Sequence, residues 1–179
     1  MRALIVYESM YGNTHAIAEA IARGLRPGND VTVVPVAGAT PELLAAADLI
    51  VAGGPTHVHG MSRPATRKSA VNEAGKHDGQ PALDADAEGP GLRDWFGSLG
   101  RVGGMAAAFD TRLAGPAMFT GSAAKAIAKL LERHGFTLIA EAESFLVTSD
   151  NKLRAGEDDR AQNWGQALAA KVPATQVRS

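Results

Sequence analysis

Six consecutive residues, Ser9-Met10-Tyr11-Gly12-Asn13-Thr14, follow directly on the apolar run Ala3-Leu4-Ile5-Val6-Tyr7 and open a helical pattern. A strand that turns sharply into a helix leaves the first N–H groups of that helix unpaired at the positive end of its dipole, a natural place for an anion. Ser9, Tyr11 and Thr14 add hydroxyls, Asn13 adds an amide donor, and Gly12 lets the backbone come close to a ligand. The loop holds no Lys or Arg, so its chemistry is that of a phosphate monoester held by neutral donors. Neither the G-x-x-x-x-G-K-[ST] of a nucleotide-hydrolysing P-loop nor the G-x-G-x-x-G of a dinucleotide fold is present. An ordinary strand-to-helix turn with an N-cap is the competing reading.

Two further stretches carry chemistry. Gly53-Gly54-Pro55-Thr56-His57-Val58-His59-Gly60 sets a tight path whose backbone N–H and C=O groups suit the edge of a flat heteroaromatic ring. Asp110-Thr111-Arg112 follows a later apolar run. His57-x-His59 can be read as a metal pair, but no acidic residue stands beside it and two His are a thin ligand set, so no metal is expected. His15 is expected to face solvent on the first turn of its helix. Trp95 and Trp164 fall within helical patterns and read as core.

Strand and helix alternate along the chain. Strands are expected at residues 3–7, 31–36, 49–52 and 105–109, with a fifth, in two stretches, between 136 and 147. Helices are expected over 14–25, from 41 to about 47 behind the cap Thr40-Pro41-Glu42, and over 63–73 and 92–99. Two more follow over 122–134 and 157–171. Five strands separated by helices imply an α/β fold with a doubly wound parallel sheet in the order 2-1-3-4-5. Ligands then bind beyond the carboxyl ends of the first, third and fourth strands, where the three loops converge. One domain is expected over 1–179, with a flexible insertion at 76–91, which is rich in Gly, Pro and acids, and a frayed end over the last eight residues.

Composition narrows the partners. The 179 residues carry 18 basic and 19 acidic side chains, a formal charge of −1, so no basic field attracts nucleic acid. No apolar run nears the roughly 20 residues of a membrane span, and Met1-Arg2-Ala3 leads straight into a strand rather than a signal peptide. The absence of cysteine excludes disulfides, thiolate metal sites and thiol catalysis. A cytoplasmic protein is expected.

The loop 9–14 resembles the S-x-[TY]-G-N-T loop with which the flavodoxin family cradles the phosphate of FMN. Gly53-Gly54-Pro55-Thr56 is similar to the G-x-P-T loop that flanks the flavin ring in flavodoxins and flavodoxin-like quinone reductases. Ser144-Phe145-Leu146-Val147, Gly156-Glu157, Arg160-Ala161 and Trp164 resemble the last strand and helix of some flavodoxin-like proteins. The resemblance implies FMN bound by Ser9, Met10, Tyr11, Gly12, Asn13, Thr14, Pro55, Thr56, His57, Val58, His59, Gly60, Asp110, Thr111 and Arg112. It departs from the family in two places. The hallmark G-x-G-D-x-x-Y is missing after the fourth strand, and the Trp–Tyr pair that sandwiches the ring is replaced by His57 and His59, with Met118 and Phe119 further on. A cation such as Arg112 near the pyrimidine edge would stabilise the anionic reduced flavin; an Arg solvated or paired with Asp110 is the plainer reading.

Three functions follow from the resemblance. The first is an FMN-binding electron-transfer protein working with a redox partner protein or a small-molecule donor and acceptor, which needs no catalytic side chain. The second is an NAD(P)H-dependent FMN quinone or small-molecule reductase. The third is a flavin-less interaction module that keeps the fold.

Overall fold

The computed structural model describes residues 1–57, 60–62, 83–85, 87–115 and 120–173. The expected helix at 63–73 therefore lies outside the described residues. The strands are β1 (Arg2–Tyr7), β2 (Asp30–Pro35), β3 (Leu49–His57), β4 (Gly60–Met61), β5 (Gly104–Leu113), β6 (Phe136–Leu138) and β7 (Glu143–Val147). Among the described residues the helices are α1 (Asn13–Leu25), α2 (Pro41–Ala46), α3 (Leu92–Ser98), α4 (Ala123–Arg133) and α5 (Glu157–Lys171), with a 3-10 turn at Val36–Gly38. None of these helices is long and apolar enough to cross a membrane.

The sheet runs β2-β1-β3-β5, and both β6 and β7 continue it on the free edge of β5, all parallel. This is the 2-1-3-4-5 order, with the fifth position filled by two short strands. β6 pairs with Gly104–Ala106 and β7 with Phe109–Leu113.

Two strands outrun their expected ends. β5 continues to Leu113 because β7 pairs with it from Phe109 to Leu113 while β3 pairs with it as far as Thr111. Asp110, Thr111 and Arg112 thus lie on a strand and not on a loop. β3 continues to His57, and Gly60–Met61 fold back antiparallel on Thr56 and His57.

Alternation along the strands divides the core in two. Leu4, Val6, Ile50, Ala52, Ala106 and Ala108 pack with α2, α3 and α4; Trp95 is buried in this half, as expected. Ala3, Ile5, Tyr7, Val51, Ala107, Phe109 and Phe145 pack with α1 and α5, and Trp164 sets its ring edge-on to Phe109 and Phe145.

Close approach of α1 and α5 depends on two glycines. A methyl group built at Gly24 would run into the Gln162 carbonyl, and one built at Gly165 into that of Ile21. Gly97 in α3 faces open space. Gly97→Ala is therefore expected to stabilise the protein by about 0.5–1 kcal/mol through helix propensity. Gly24→Ala, despite the same propensity gain, is expected to destabilise it by roughly 1–3 kcal/mol through overpacking. Urea denaturation checks the opposite signs; stabilisation by both would mean that the two helices separate freely.

Candidate functional site

The turn from β1 into α1 has Gly12 in the left-handed region (φ 81°), with its N–H donating to Ser9 Oγ at 3.1 Å. Nothing lies within 4 Å of a Cβ built there, so backbone conformation and not space calls for glycine. No side chain caps α1 and no acid stands in its first turn. The other helix ends are closed. Thr40 caps α2, accepting from Leu43 N at 3.4 Å. Glu8 accepts from the Leu92 amide at 2.8 Å, at the start of α3, and from the Ser62 hydroxyl. α5 places Glu157, Asp158 and Asp159 in its first turn.

α4 is closed from across the sheet. The Ala123 amide donates to Thr56 Oγ1 at 2.8 Å, and the Ala124 amide to Asp110 Oδ2 at 2.8 Å. The Thr56 and Ser122 hydroxyls also donate to Asp110 Oδ2, each at 2.9 Å. Asp110 is fully buried. Its Oδ2 caps a helix, its Oδ1 finds no hydrogen-bond partner among the described residues, and Asp110, expected to edge a ligand, is not among the residues that line the cavity described next.

That cavity, of about 220 Å³, opens at the C-terminal end of the sheet. Met10, Tyr11, Asn13 and Thr14 bound one side, Pro55, Thr56 and His57 the end of β3, Thr111, Arg112 and Leu113 the end of β5, and Val147 and Asn151 the far wall. Leu113, 52 % exposed, marks its mouth. On the α1 side the hydroxyls of Thr14 and Thr111 meet at 2.8 Å. Arg112, one residue on, turns to the opposite face, where its Nη1 donates to Gly115 O at 2.8 Å, Thr120 Oγ1 at 2.9 Å and Leu113 O at 3.3 Å. His57 Nε2 and Arg112 Nε are shielded from solvent and find no hydrogen-bond partner among the described residues. Burial pushes His57 below the usual histidine pKa, with the Glu8 carboxylate pulling the other way.

Of the residues expected at the site, Met10, Tyr11, Asn13, Thr14, Pro55, Thr56, His57, Thr111 and Arg112 line this one cavity. Ser9 and Gly12 shape the turn behind it. Gly60 lies in β4, beside His57. Val58 and His59 lie outside the described residues, as do Met118 and Phe119. His15 does not simply face solvent. Its ring stacks on Tyr7 at 4.6 Å between centroids and sits 3.5 Å from Asp84.

Asp84 belongs to the stretch expected as a flexible insertion, of which 76–82 and 86 lie outside the described residues. The rest is packed. The Asp84 amide donates to Met10 O at 2.8 Å, and Ala87 is buried against Met10, with Leu83 and Tyr11 beside them. A small apolar cluster thus fastens this segment to the back of the 9–14 loop.

Asn151 escapes sequence reasoning. The Asn13 side-chain amide donates to its carbonyl at 2.8 Å and to its Oδ1 at 3.2 Å. Asn151 itself holds φ 59°, the only positive φ outside glycine among the described residues. The turn beneath it closes through Thr148, whose N–H reaches Lys152 O at 2.8 Å. The turn-rich run Thr148-Ser149-Asp150-Asn151 just after the last strand is the one signal of it in the sequence.

Residues 5–90 match the family model described as Flavodoxin. No curated protein matches the chain. Among solved structures it is similar to a flavodoxin from the domain Archaea, at 22% identity and a TM-score of 0.64, covering 97% of this chain and 100% of that one. Oxidised flavodoxin 1 from Bacillus cereus is 18% identical, with a TM-score of 0.65 and the same coverage. A flavodoxin, WrbA-like protein from Agrobacterium tumefaciens is also 18% identical, with a TM-score of 0.57, over 94% of this chain and 95% of that one. At these identities the structures show a shared fold.

Two outcomes follow from the geometry. Asn151→Gly is expected to leave stability within about 0.5 kcal/mol of the parent, because it relieves the left-handed backbone and keeps the carbonyl contact. Asn151→Ala loses the side-chain bond and adds strain of about 1–2 kcal/mol, so equal denaturation midpoints for the two would contradict this account. For His57, a folded pKa below the unfolded value of about 6.5 means that the unfolded chain takes up the proton first. Its contribution to stability is then present above that value and lost as pH falls through the folded pKa. An NMR titration of the ring should give a midpoint below 6.5, and a midpoint above it would refute the assignment.

Proposed function

We propose that this chain, flavodoxin-like in fold throughout and in sequence over residues 5–90, binds FMN and transfers electrons through it. The observation that carries this reading is the end of α1. It has neither a side-chain cap nor an acid in its first turn, and whereas the first amides of α4, which shares that lack, are taken by Thr56 and Asp110, it opens on a cavity whose lining includes the hydroxyls of Tyr11, Thr14, Thr56 and Thr111. A helix end left in that state is suited to a dianionic phosphate.

The residues present fit the cofactor. Ser9, Met10, Tyr11, Gly12, Asn13 and Thr14 would surround the phosphate, with the Thr111 hydroxyl at the cavity floor. A cavity of about 220 Å³ is smaller than the roughly 300–1,000 Å³ of typical whole-ligand pockets. It suits the phosphate and ribityl chain, with the ring toward the mouth beside Pro55, His57, Gly60 and Arg112. Bound FMN supplies the reversible uptake of electrons that no side chain here provides. Redox partner proteins or small-molecule donors and acceptors, met in the cytoplasm, belong to the same reading.

FMN and riboflavin differ only by the phosphate, so their affinity ratio tests the assignment. Fluorescence quenching is expected to show FMN bound at least tenfold more tightly than riboflavin, a difference of about 1.4 kcal/mol. Thr14→Val should shrink that ratio while leaving riboflavin affinity nearly unchanged. Equal affinity of the parent protein for both ligands would place the phosphate elsewhere.

A further inference from the structure

We infer that the outer face of α4, together with Arg101 beside its C-terminal end, is the docking surface for an acidic protein. Resting on the FMN reading, that partner is a small acidic electron carrier, which meets the cavity mouth from the α4 side.

The exposed residues of α4 are Lys125, Lys129, Glu132 and Arg133, and its three cations recur at every fourth position. Arg101 joins them past the helix end. A Cβ built at Gly135 would lie 3.8 Å from its Nε, and the next residue, Val102, donates its amide to His134 O at 3.0 Å. Among the described residues none of these four cations has a carboxylate within ion-pair distance. By contrast, Arg23 is matched by Asp158, Arg26 by Glu19, Lys152 by Asp150, and Arg160 by Glu143 and Glu157. Arg93 and Arg112 donate to backbone carbonyls. Arg2, Arg154 and Lys171 also lack an acid, but they stand apart, on β1, before α5 and at its end.

Helix stability does not account for this pattern. Lys125 lies in the first turn of α4, at the positive end of the dipole, where α5 carries Glu157, Asp158 and Asp159. Asp110, at the same end, takes its donors from Thr56, Ser122 and the Ala124 amide and not from Lys125. Lys125 and Lys129, and again Lys129 and Arg133, are like charges four positions apart, a spacing that destabilises a helix. Repulsion left standing within the fold is relieved by an acidic partner. The helix also leads to the site: the Ala123 amide bonds to Thr56, which lines the cavity, and Leu113 is exposed at the mouth as an apolar contact. Other polyanions fit less well. Glu132 interrupts the stripe, and among the described residues no aromatic side chain is exposed to stack on a base. The apolar side of α4, with Ile127 and Leu131, is buried in the core and not free to enter a membrane. Such a stripe steers a transient encounter between proteins.

The experiment is an NMR titration of the isotope-labelled protein, with and without FMN, against a strongly acidic two-iron ferredoxin, a short DNA duplex and phosphatidylglycerol vesicles. The ferredoxin is expected to shift the amides of α4 and of Arg101 and Val102. Its affinity should fall about tenfold or more as salt rises from about 20 to about 200 mM. Lys125→Gln with Lys129→Glu is expected to weaken it about tenfold or more. The denaturation midpoint of that variant should stay at or above the parent's, because both like-charge pairs are gone and an acid stands four residues before Arg133. Lys125→Arg with Lys129→Arg should bind as the parent does. With FMN bound and reduced, electron transfer to the ferredoxin in stopped flow should slow in the first variant and not in the second. Salt-independent binding, shifts confined to other elements, or undiminished binding by the first variant overturns the inference. So does tighter binding of the duplex or the vesicles at the same amides. A lower midpoint in the first variant also overturns it, since the stripe would then serve the fold. Failure of FMN to bind removes the FMN reading alone, because docking is read from the α4 amides with or without cofactor.

Discussion

The C-terminal edge of the sheet is organised by one carboxylate oxygen, Asp110 Oδ2. It accepts from the Thr56 hydroxyl of β3, from the Ser122 hydroxyl and from the Ala124 amide at the start of α4. Because Asp110 sits on β5, opposite Gly54 of β3, these bonds fix two central strand ends and one helix in a single frame. A buried carboxylate is tolerated only when its desolvation is offset by such donors and by the positive end of a helix. Closing α4 in this way has an electrostatic consequence. It leaves α1 as the helix whose N-terminal field reaches the cavity without compensation.

The same division runs through the acids near the sheet edge. Glu8 stands one residue before the first loop, where a charge facing outward would repel a phosphate, yet it is turned inward to Ser62 and the α3 amide. Asp84 lies against His15 behind the loop. Each of these groups answers a structural demand for an acceptor. The polar groups of the cavity wall are hydroxyls, amides, one imidazole and one guanidinium, set among Met10, Pro55, Leu113 and Val147.

Much of this was legible in the sequence. Short-range signals gave α1, the Thr40 cap of α2, α5 over Glu157–Lys171, the five-position sheet order and most of the cavity residues. These features depend on neighbours within a few positions, where periodicity and capping chemistry act. The misreadings have a different origin. Asp110 has the residue type of a ligand contact and of a helix cap alike, and only the arrival of α4 decides between them. The extension of β5 depends on β7, more than thirty residues later, and the Asn13–Asn151 contact spans 138 positions. Such pairings leave little local trace beyond the turn-rich run Thr148-Ser149-Asp150-Asn151.

The glycines show how packing and site depend on each other. A methyl group built at Gly53 would run into the ring of Phe109, and one built at Gly54 would press on Leu92. These are the residues at which β3 passes from the buried sheet to its C-terminal edge. Their small size seats Phe109 against β3 on the α1–α5 face and Leu92 against it on the other, and the Leu92 amide is the group that holds Glu8 inward. A side chain at Gly54 would move α3 and with it the donor that keeps Glu8 away from the 9–14 loop. The glycine-rich strand end thus shapes the electrostatics of the cavity by letting the two core faces close around it, independently of any contact it makes with a ligand.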